Sequence, residues 1–276
     1  MKELEMADRN ITNKRLWKVV NLAEGMALYV PPDDNLNLGS IPSSIDPFSE
    51  SSTQLLPLGT RLEYAERMFR YGKHGGSAQT VGKVHQMTVP LAGHIDEALD
   101  TPAIGATVIS FTPAVLTTDD LAADDLAGGY ILINDDTGEG YLYRIKSHPA
   151  ILGAVAGNLT LYDPIVVAPG AGATGTVHWN PHKKLIIVPA TGPSALVAGV
   201  TVRDMTANYY GWYQVKGPCP VLSGPALIIG NKCVCSTATA GAVMASVAGE
   251  TEGPTIGVAM ESQTDTEYVT IWLHIE

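Results

Sequence analysis

Charge is scarce in this chain of 276 residues: Asp, Glu, Lys and Arg make up 16% of it, against about 25% in average soluble domains. A polar surface of Ser, Thr and Asn gives such a composition, and so does a surface covered by neighbouring subunits, where Lys and Glu are depleted. Cysteine is scarcer. Cys219, Cys233 and Cys235 make an odd set without a C-x-x-C pair, which argues against a disulfide scaffold or zinc ribbon and fits reduced, buried thiols. No apolar run reaches membrane length: Leu185 to Val202 is broken by Pro189, Gly192, Pro193 and Gly199, and the charged N-terminus has no apolar signal core. A soluble chain with no membrane partner is expected. Long amphipathic helices alternating with strands are missing as well, which argues against a βαβ sheet.

Basic residues are absent from whole regions. None lies between Val84 and Tyr143, where Asp96, Glu97, Asp100, Asp119, Asp120, Asp124, Asp125, Asp135, Asp136 and Glu139 fall, and none follows Lys232. They gather early instead, at Arg9, Lys14, Arg15 and Lys18, then Arg61, Arg67, Arg70, Lys73 and Lys83. With a net charge of −11, the chain lacks the clustered cations that phosphate contacts need, so no nucleic-acid partner is expected. The gradient is that of solvated loops, or of a molecule with an acidic outward side and a basic docking side.

What is present is turn chemistry. Gly 28 and Pro 18 are spread between short β-favouring runs, the pattern of many short strands. The plainest hairpin is Tyr130-Ile131-Leu132-Ile133, a turn over Asn134 to Gly140, and Tyr141-Leu142-Tyr143-Arg144-Ile145. Further strands are expected around Thr60–Tyr64, Met68–Tyr71, Gly82–Val89, Ala106–Phe111, Leu159–Tyr162, Leu185–Val188, Gly211–Lys216, Lys232–Ser236, Ala242–Val247, Thr255–Met260 and Tyr268–Ile275, with a short helix possible over Leu116–Leu126. The fold class expected is all-β, a sandwich or barrel-like arrangement with an extended N-terminal arm. Residues 1–56 read as the arm or linker, 57–195 as the main β-domain, and 196–276 as a second β-domain or a continuation of the first.

Motifs with chemical meaning fail on context. Gly170-Ala171-Gly172-Ala173-Thr174-Gly175 spells G-x-G-x-x-G, but strand-like Thr176-Val177-His178-Trp179 follows in place of the helix N-terminus that would hold a pyrophosphate. His178 and His182 have i, i+4 spacing, yet Pro181 removes the helix that would align them. The acidic turn at Asn134–Gly140 lacks the order of a calcium loop, and Ser77 lacks a nucleophile elbow. No catalytic, metal or cofactor site is assigned, and no enzyme activity is expected.

Two groups of residues read as contact-forming. In the arm, Leu16, Trp17 and Tyr29 are anchors costly to leave exposed. In the β-region, Tyr209, Tyr210, Trp212 and Tyr213 alternate, with Tyr210 and Trp212 on one strand face and Tyr209 and Tyr213 on the other. The stretch Leu56-Pro57-Leu58-Gly59-Thr60-Arg61-Leu62-Glu63-Tyr64, followed by Met68-Phe69-Arg70-Tyr71-Gly72-Lys73-His74-Gly75-Gly76, resembles the opening of the β-domain in tailed-bacteriophage virion proteins of the capsid decoration, or cement, type. Gly140 to Lys146 with Leu161-Tyr162-Asp163-Pro164, Tyr209 to Pro218, and Ile256-Gly257-Val258-Ala259-Met260-Glu261 to Asp265-Thr266-Glu267-Tyr268-Val269 are similar in texture. The resemblance, over roughly residues 55–276, implies a non-enzymatic protein on the outer capsid surface of the virion, assembled in the host cytoplasm. Its implied partners are the major capsid protein and itself, as a homotrimer. The contact residues expected are Leu16, Trp17, Tyr29, Arg61, Arg67, Arg70, Lys73, Tyr209, Tyr210, Trp212 and Tyr213. A tail or fibre component and a β-sandwich that binds or hydrolyses glycan are the alternatives.

Overall fold

The computed structural model describes residues 17–22, 25–32, 41, 44–114, 120–247 and 253–276. The chain is all-β, built on two antiparallel sheets. Its strands are Lys18–Asn21 (β1), Ala27–Val30 (β2), Glu50–Ser51 (β3), Arg61–Tyr64 (β4), Arg67–Lys73 (β5), Val84–Gln86 (β6), Glu97–Ala98 (β7), Val108–Phe111 (β8), Tyr130–Ile133 (β9) and Leu142–Ser147 (β10). They continue with Gly157–Leu161 (β11), Thr174–His178 (β12), Ile186–Ile187 (β13), Val197–Thr201 (β14), Tyr210–Leu222 (β15), Lys232–Cys235 (β16), Val243–Ala245 (β17), Thr255–Ala259 (β18) and Tyr268–His274 (β19).

Two compact units divide the chain, and the first is discontinuous: Met1–Gln86 with Lys184–Glu276, and Met87–Lys183 inserted between them. The division thus falls at 86/87 and 183/184 rather than at the 195/196 boundary expected from sequence. The described part of residues 1–56 also differs from a separate arm. There β1 pairs β2, β2 pairs β4, and β3 pairs β15, while Met26, Leu28, Val30, Ile45 and Leu56 enter a core with Leu62, Phe69, Tyr71 and Trp212. Burying those apolar side chains is worth roughly 1.5–3 kcal/mol each, which holds a short, polar-flanked segment on the sheet.

In the first unit the strand order is β1-β2-β4-β5-β15-β19-β18-β16-β17, with β3, β6, β13 and β14 joined to it off that path. The 13-residue β15 is the spine. Tyr210–Lys216 pairs β5 and Lys216–Leu222 pairs β19, with a register shift between Gln214 and Lys216. Before the shift both faces are covered; after it, burial alternates, with Cys219 and Val221 inward and Lys216 and Pro220 exposed. Pro218 and Pro220 are two apart, so their missing N–H groups share one strand edge and leave the donors of Cys219 and Val221 to the other. All three cysteines are buried, free thiols, and burial pushes Cys219 and Cys235 up to about 12 and Cys233 up to about 11. That keeps them protonated and unreactive.

The inserted unit orders its strands β7-β12-β9-β10-β11-β8. The ends of that order meet: Leu99 bridges Phe111, Asp100 N donates to Ser110 O at 3.1 Å, and Thr112 N donates to Ala98 O at 3.0 Å. The six strands therefore close into a small barrel, which removes its open edges. Ile109, Phe111, Ile131, Ile133, Ile145, Leu159 and Val177 alternate inward along their strands to fill it. Within 120–126 the chain makes turns, and Leu121 exchanges backbone hydrogen bonds with Ile151 at 2.9 Å each way, so the described part of the expected Leu116–Leu126 helix is a β-bridge. Residues 87–183 hold eleven Asp and Glu against three Lys and Arg, so most of the net negative charge belongs to this barrel.

Candidate functional site

The hairpin of β4 and β5 gathers most of the residues singled out from sequence. Strand pairing sets Tyr29 opposite Arg61, Arg61 opposite Arg70, and Val19 opposite Tyr29. Alternation then separates these side chains from Leu28, Leu62 and Phe69, which face the core. Trp17, 50% exposed, and Val19, 58% exposed, lie at the β1 edge of the sheet. The Arg61 guanidinium sits 4.0 Å from the Tyr29 ring centroid and 3.1 Å from Glu63 Oε1, and Tyr29 Oη donates to Glu63 Oε2 at 3.2 Å. Arg70 donates through Nε to Glu276 Oε2 at 2.8 Å and through Nη1 to Gly59 O at 3.0 Å, with its guanidinium 5.9 Å from the Trp17 ring. The result is an aromatic strip stiffened by cations.

The same geometry alters the meaning of the basic residues. Arg61 and Arg70 each already hold a carboxylate, and Arg67 lies 5.1 Å from the Tyr64 ring and 5.7 Å from each of the Phe48 and Phe69 rings. Lys73 stands 5.4 Å from the Tyr210 ring. The cations of this hairpin therefore buttress aromatic rings, worth about 0.5–1 kcal/mol per exposed pair, rather than forming a patch of free positive charge. The Arg70–Glu276 pair is a surface pair, and Glu276→Gln is expected to cost less than about 1 kcal/mol. Urea titrations at low and high salt check this: the difference between the variant and the natural chain should shrink as salt rises.

On the spine, Trp212 packs into the hairpin core with Tyr71, at 5.2 Å between ring centroids, and Tyr210 stacks on Tyr71 at 6.2 Å. Tyr213 points to the opposite face, fully buried with Leu185, Ala198 and Met205. The alternation read from sequence places Tyr210 and Trp212 together, as observed. Tyr209 precedes β15, and its carbonyl accepts from His74 N at 2.7 Å. Leu16 lies outside the described residues. Ile45, Glu50, Leu55, Tyr71, Tyr210 and Trp212 contribute to the wall of a pocket with about 410 Å³ of empty space. Glu50 is occupied there by Thr206 N at 2.9 Å and Thr206 Oγ1 at 2.8 Å.

Sequence reasoning missed one cluster entirely. His74 Nδ1 lies 2.7 Å from Tyr213 Oη and His74 Nε2 lies 2.9 Å from Ser77 O. Because the carbonyl only accepts, Nε2 carries the proton and Nδ1 accepts from Tyr213. His85 lies 5.2 Å from His74 between ring centroids, fully buried. Each histidine is isolated in the sequence among unrelated neighbours, and only strand pairing brings them together.

Among the described residues no three His, Cys, Asp or Glu side chains are grouped to hold a metal ion, and no helix is long and apolar enough to cross a membrane. The Gly170–Gly175 segment runs into β12, so a strand follows the glycine-rich stretch. Compared with protein-family models, curated proteins and solved structures, the chain matches none.

Proposed function

We propose that this chain is a structural virion protein of the capsid decoration type, which binds the major capsid protein on the outside of a phage head and acts as a homotrimer without catalysis. The resemblance of its β-region to such proteins motivates the reading. The observation that carries it is the half-exposed Trp17 and Val19 at the sheet edge beside Tyr29, Arg61 and Arg70, because Trp, Tyr and Arg dominate the energetics of protein interfaces. A ligand that binds only the assembled shell stabilises that shell by mass action, and moderate contacts repeated across a trimer add through multivalency.

The test is occupancy on purified capsids, read by sedimentation at fixed protein concentration. The double variant Trp17→Ala/Val19→Asp should lower affinity by about 30-fold or more, the effect of losing about 2 kcal/mol at an interface anchor. Removing residues 1–16 as a separate variant shows whether Leu16 adds to this anchor. Undiminished occupancy of the double variant would overturn the docking face, and absence of binding by the natural chain would overturn the reading itself.

A further inference from the structure

Residues 87–183 leave the first unit after Gln86 and return at Lys184, so two crossings of the chain carry the whole insertion. Within the first unit these crossings are held side by side. β6 pairs β13 with Ile186 opposite Gln86 and Ile187 opposite His85, and it pairs β14 with Gly199 opposite His85. Gln86 and Ser194 exchange two hydrogen bonds, Nε2 to Oγ at 2.8 Å and Ser194 N to Oε1 at 3.0 Å. Leu185 N donates to Lys73 O at 2.9 Å and Gly75 N donates to Leu185 O at 2.8 Å, tying the returning crossing to the segment that carries His74.

His85 stands in the middle of this arrangement and has only one satisfied ring nitrogen. Its Nδ1 lies 2.9 Å from Lys83 O, so that nitrogen donates; its Nε2 is buried with no hydrogen-bond partner. The ring packs 5.5 Å from Tyr213 and 5.2 Å from His74. A proton added at Nε2 would create a buried cation whose new N–H has no acceptor, a combination that cannot persist in closed packing.

We propose that His85, with His74 and Tyr213, is an acid-operated clamp on the two crossings that carry the inserted barrel: protonation at His85 Nε2 separates β6 from β13 and β14. The titratable and charged groups acting on the pair are Tyr213 of β15, Lys83 before β6 and Glu50 of β3. β13 contributes Ile186 and Ile187, and β14 contributes Val197 to Thr201, none of which titrates. Burial, and then the neighbouring His74 and Lys83, push His85 down to about 3 against the opposing bond to Lys83 O. Burial also lowers His74. Both groups bind their proton more readily when the clamp is open, so closure is fully favoured above about pH 6.5 and weakens as pH falls toward 3.

Hydrogen exchange on the intact chain, corrected for the intrinsic pH dependence of exchange, tests the clamp. Amides of 84–86, 185–188 and 197–201 should lose at least about 20- to 30-fold in protection between pH 6 and pH 4.5, the effect of the His85 proton alone over that span with His74 adding to it, while β18 and β19 amides stay protected. His85→Asn keeps a neutral donor toward Lys83 O and should reduce the dependence to the part that His74 contributes. If that variant does not fold, the imidazole signals of the natural chain decide the matter: His85 should remain neutral with its proton on Nδ1 down to pH 4.5. Titration of His85 near pH 6.5 in the folded chain, opening of the clamp only together with β18 and β19, or an unchanged slope in a folded His85→Asn variant would overturn the proposal.

Discussion

Gly217→Ala is expected to lose more than about 3 kcal/mol of stability, while Gly230→Ala loses about 1–2 kcal/mol, although both glycines have φ +84°. The shared term is the left-handed backbone, which costs an L-residue roughly 1–3 kcal/mol. The difference is what a Cβ would meet. At Gly230 nothing lies within 4 Å; at Gly217 the added carbon would stand 2.5 Å from Glu66 O and 3.1 Å from Glu66 C. Those atoms belong to the main chain of the turn between β4 and β5, so no side-chain rotation relieves the clash. Gly217 also sits where the spine transfers its pairing from β5 to β19, so retreat of either partner breaks ladder hydrogen bonds on one side. Overpacking a close-packed site costs about 1–3 kcal/mol beyond the backbone term. Urea denaturation of both variants measures the gap directly, and equal midpoints would show that the turn yields without penalty.

How far the sequence revealed this fold depends on whether the signal was local. The β9–β10 hairpin was legible because turn formers from Asn134 to Gly140 separate two β-favouring runs, and the β-character of β5, of β15 as far as Lys216 and of β19 was legible from their aromatic and β-branched residues; Gly217, Pro218 and Pro220 hid the continuation of β15 to Leu222. β14 was not: Val197-Ala198-Gly199-Val200-Thr201 is small, is preceded by Gly192 and Pro193, and is buried on both faces, so it shows no period of two and reads as a linker. β1 and β2 are four residues each amid polar, Pro-rich chain, and only the packing of Leu28 and Val30 against Leu62 and Phe69 identifies them as sheet. The stretch without Lys or Arg that starts at Val84 coincides with the first boundary of the inserted barrel but reads only as a charge gradient, and nothing in composition marks 183/184, because the boundaries are set by β6 pairing with β13 and β14 about a hundred residues away. At the candidate site, sequence singled out Trp17, Tyr29, Arg61 and Arg70, which the structure brings side by side, and separately Tyr210 and Trp212, which pack on Tyr71. It could not show that Arg70 meets Glu276, and so it read as a basic patch what is an aromatic strip with its cations engaged.

Phe69→Ala is the variant expected to separate folding from docking, with a loss of about 3–5 kcal/mol. Phe69 is fully buried beneath the hairpin, opposite Leu62 across the β4–β5 ladder and opposite Gln214 of the spine. Its removal leaves a void among Leu28, Leu62, Tyr71 and Trp212, in a close-packed interior where surrounding backbone relaxes only in part. The same void takes away the ring beside Arg67. Trp17→Ala behaves in the opposite way. Its side chain is half exposed, with the Arg70 guanidinium 5.9 Å from its ring, so truncation loses only part of a Trp's burial plus one exposed cation–π pair and should cost about 1–2 kcal/mol in urea denaturation, well below the loss at Phe69. If the chain docks on capsids as proposed, the ranking inverts there: at a temperature where both variants remain folded, Trp17→Ala should lose occupancy and Phe69→Ala should retain it. On the proposed reading, stability follows what the hairpin buries and docking what its edge leaves exposed, so a parallel loss of both properties in both variants would mean that the strip contributes to binding only by being folded.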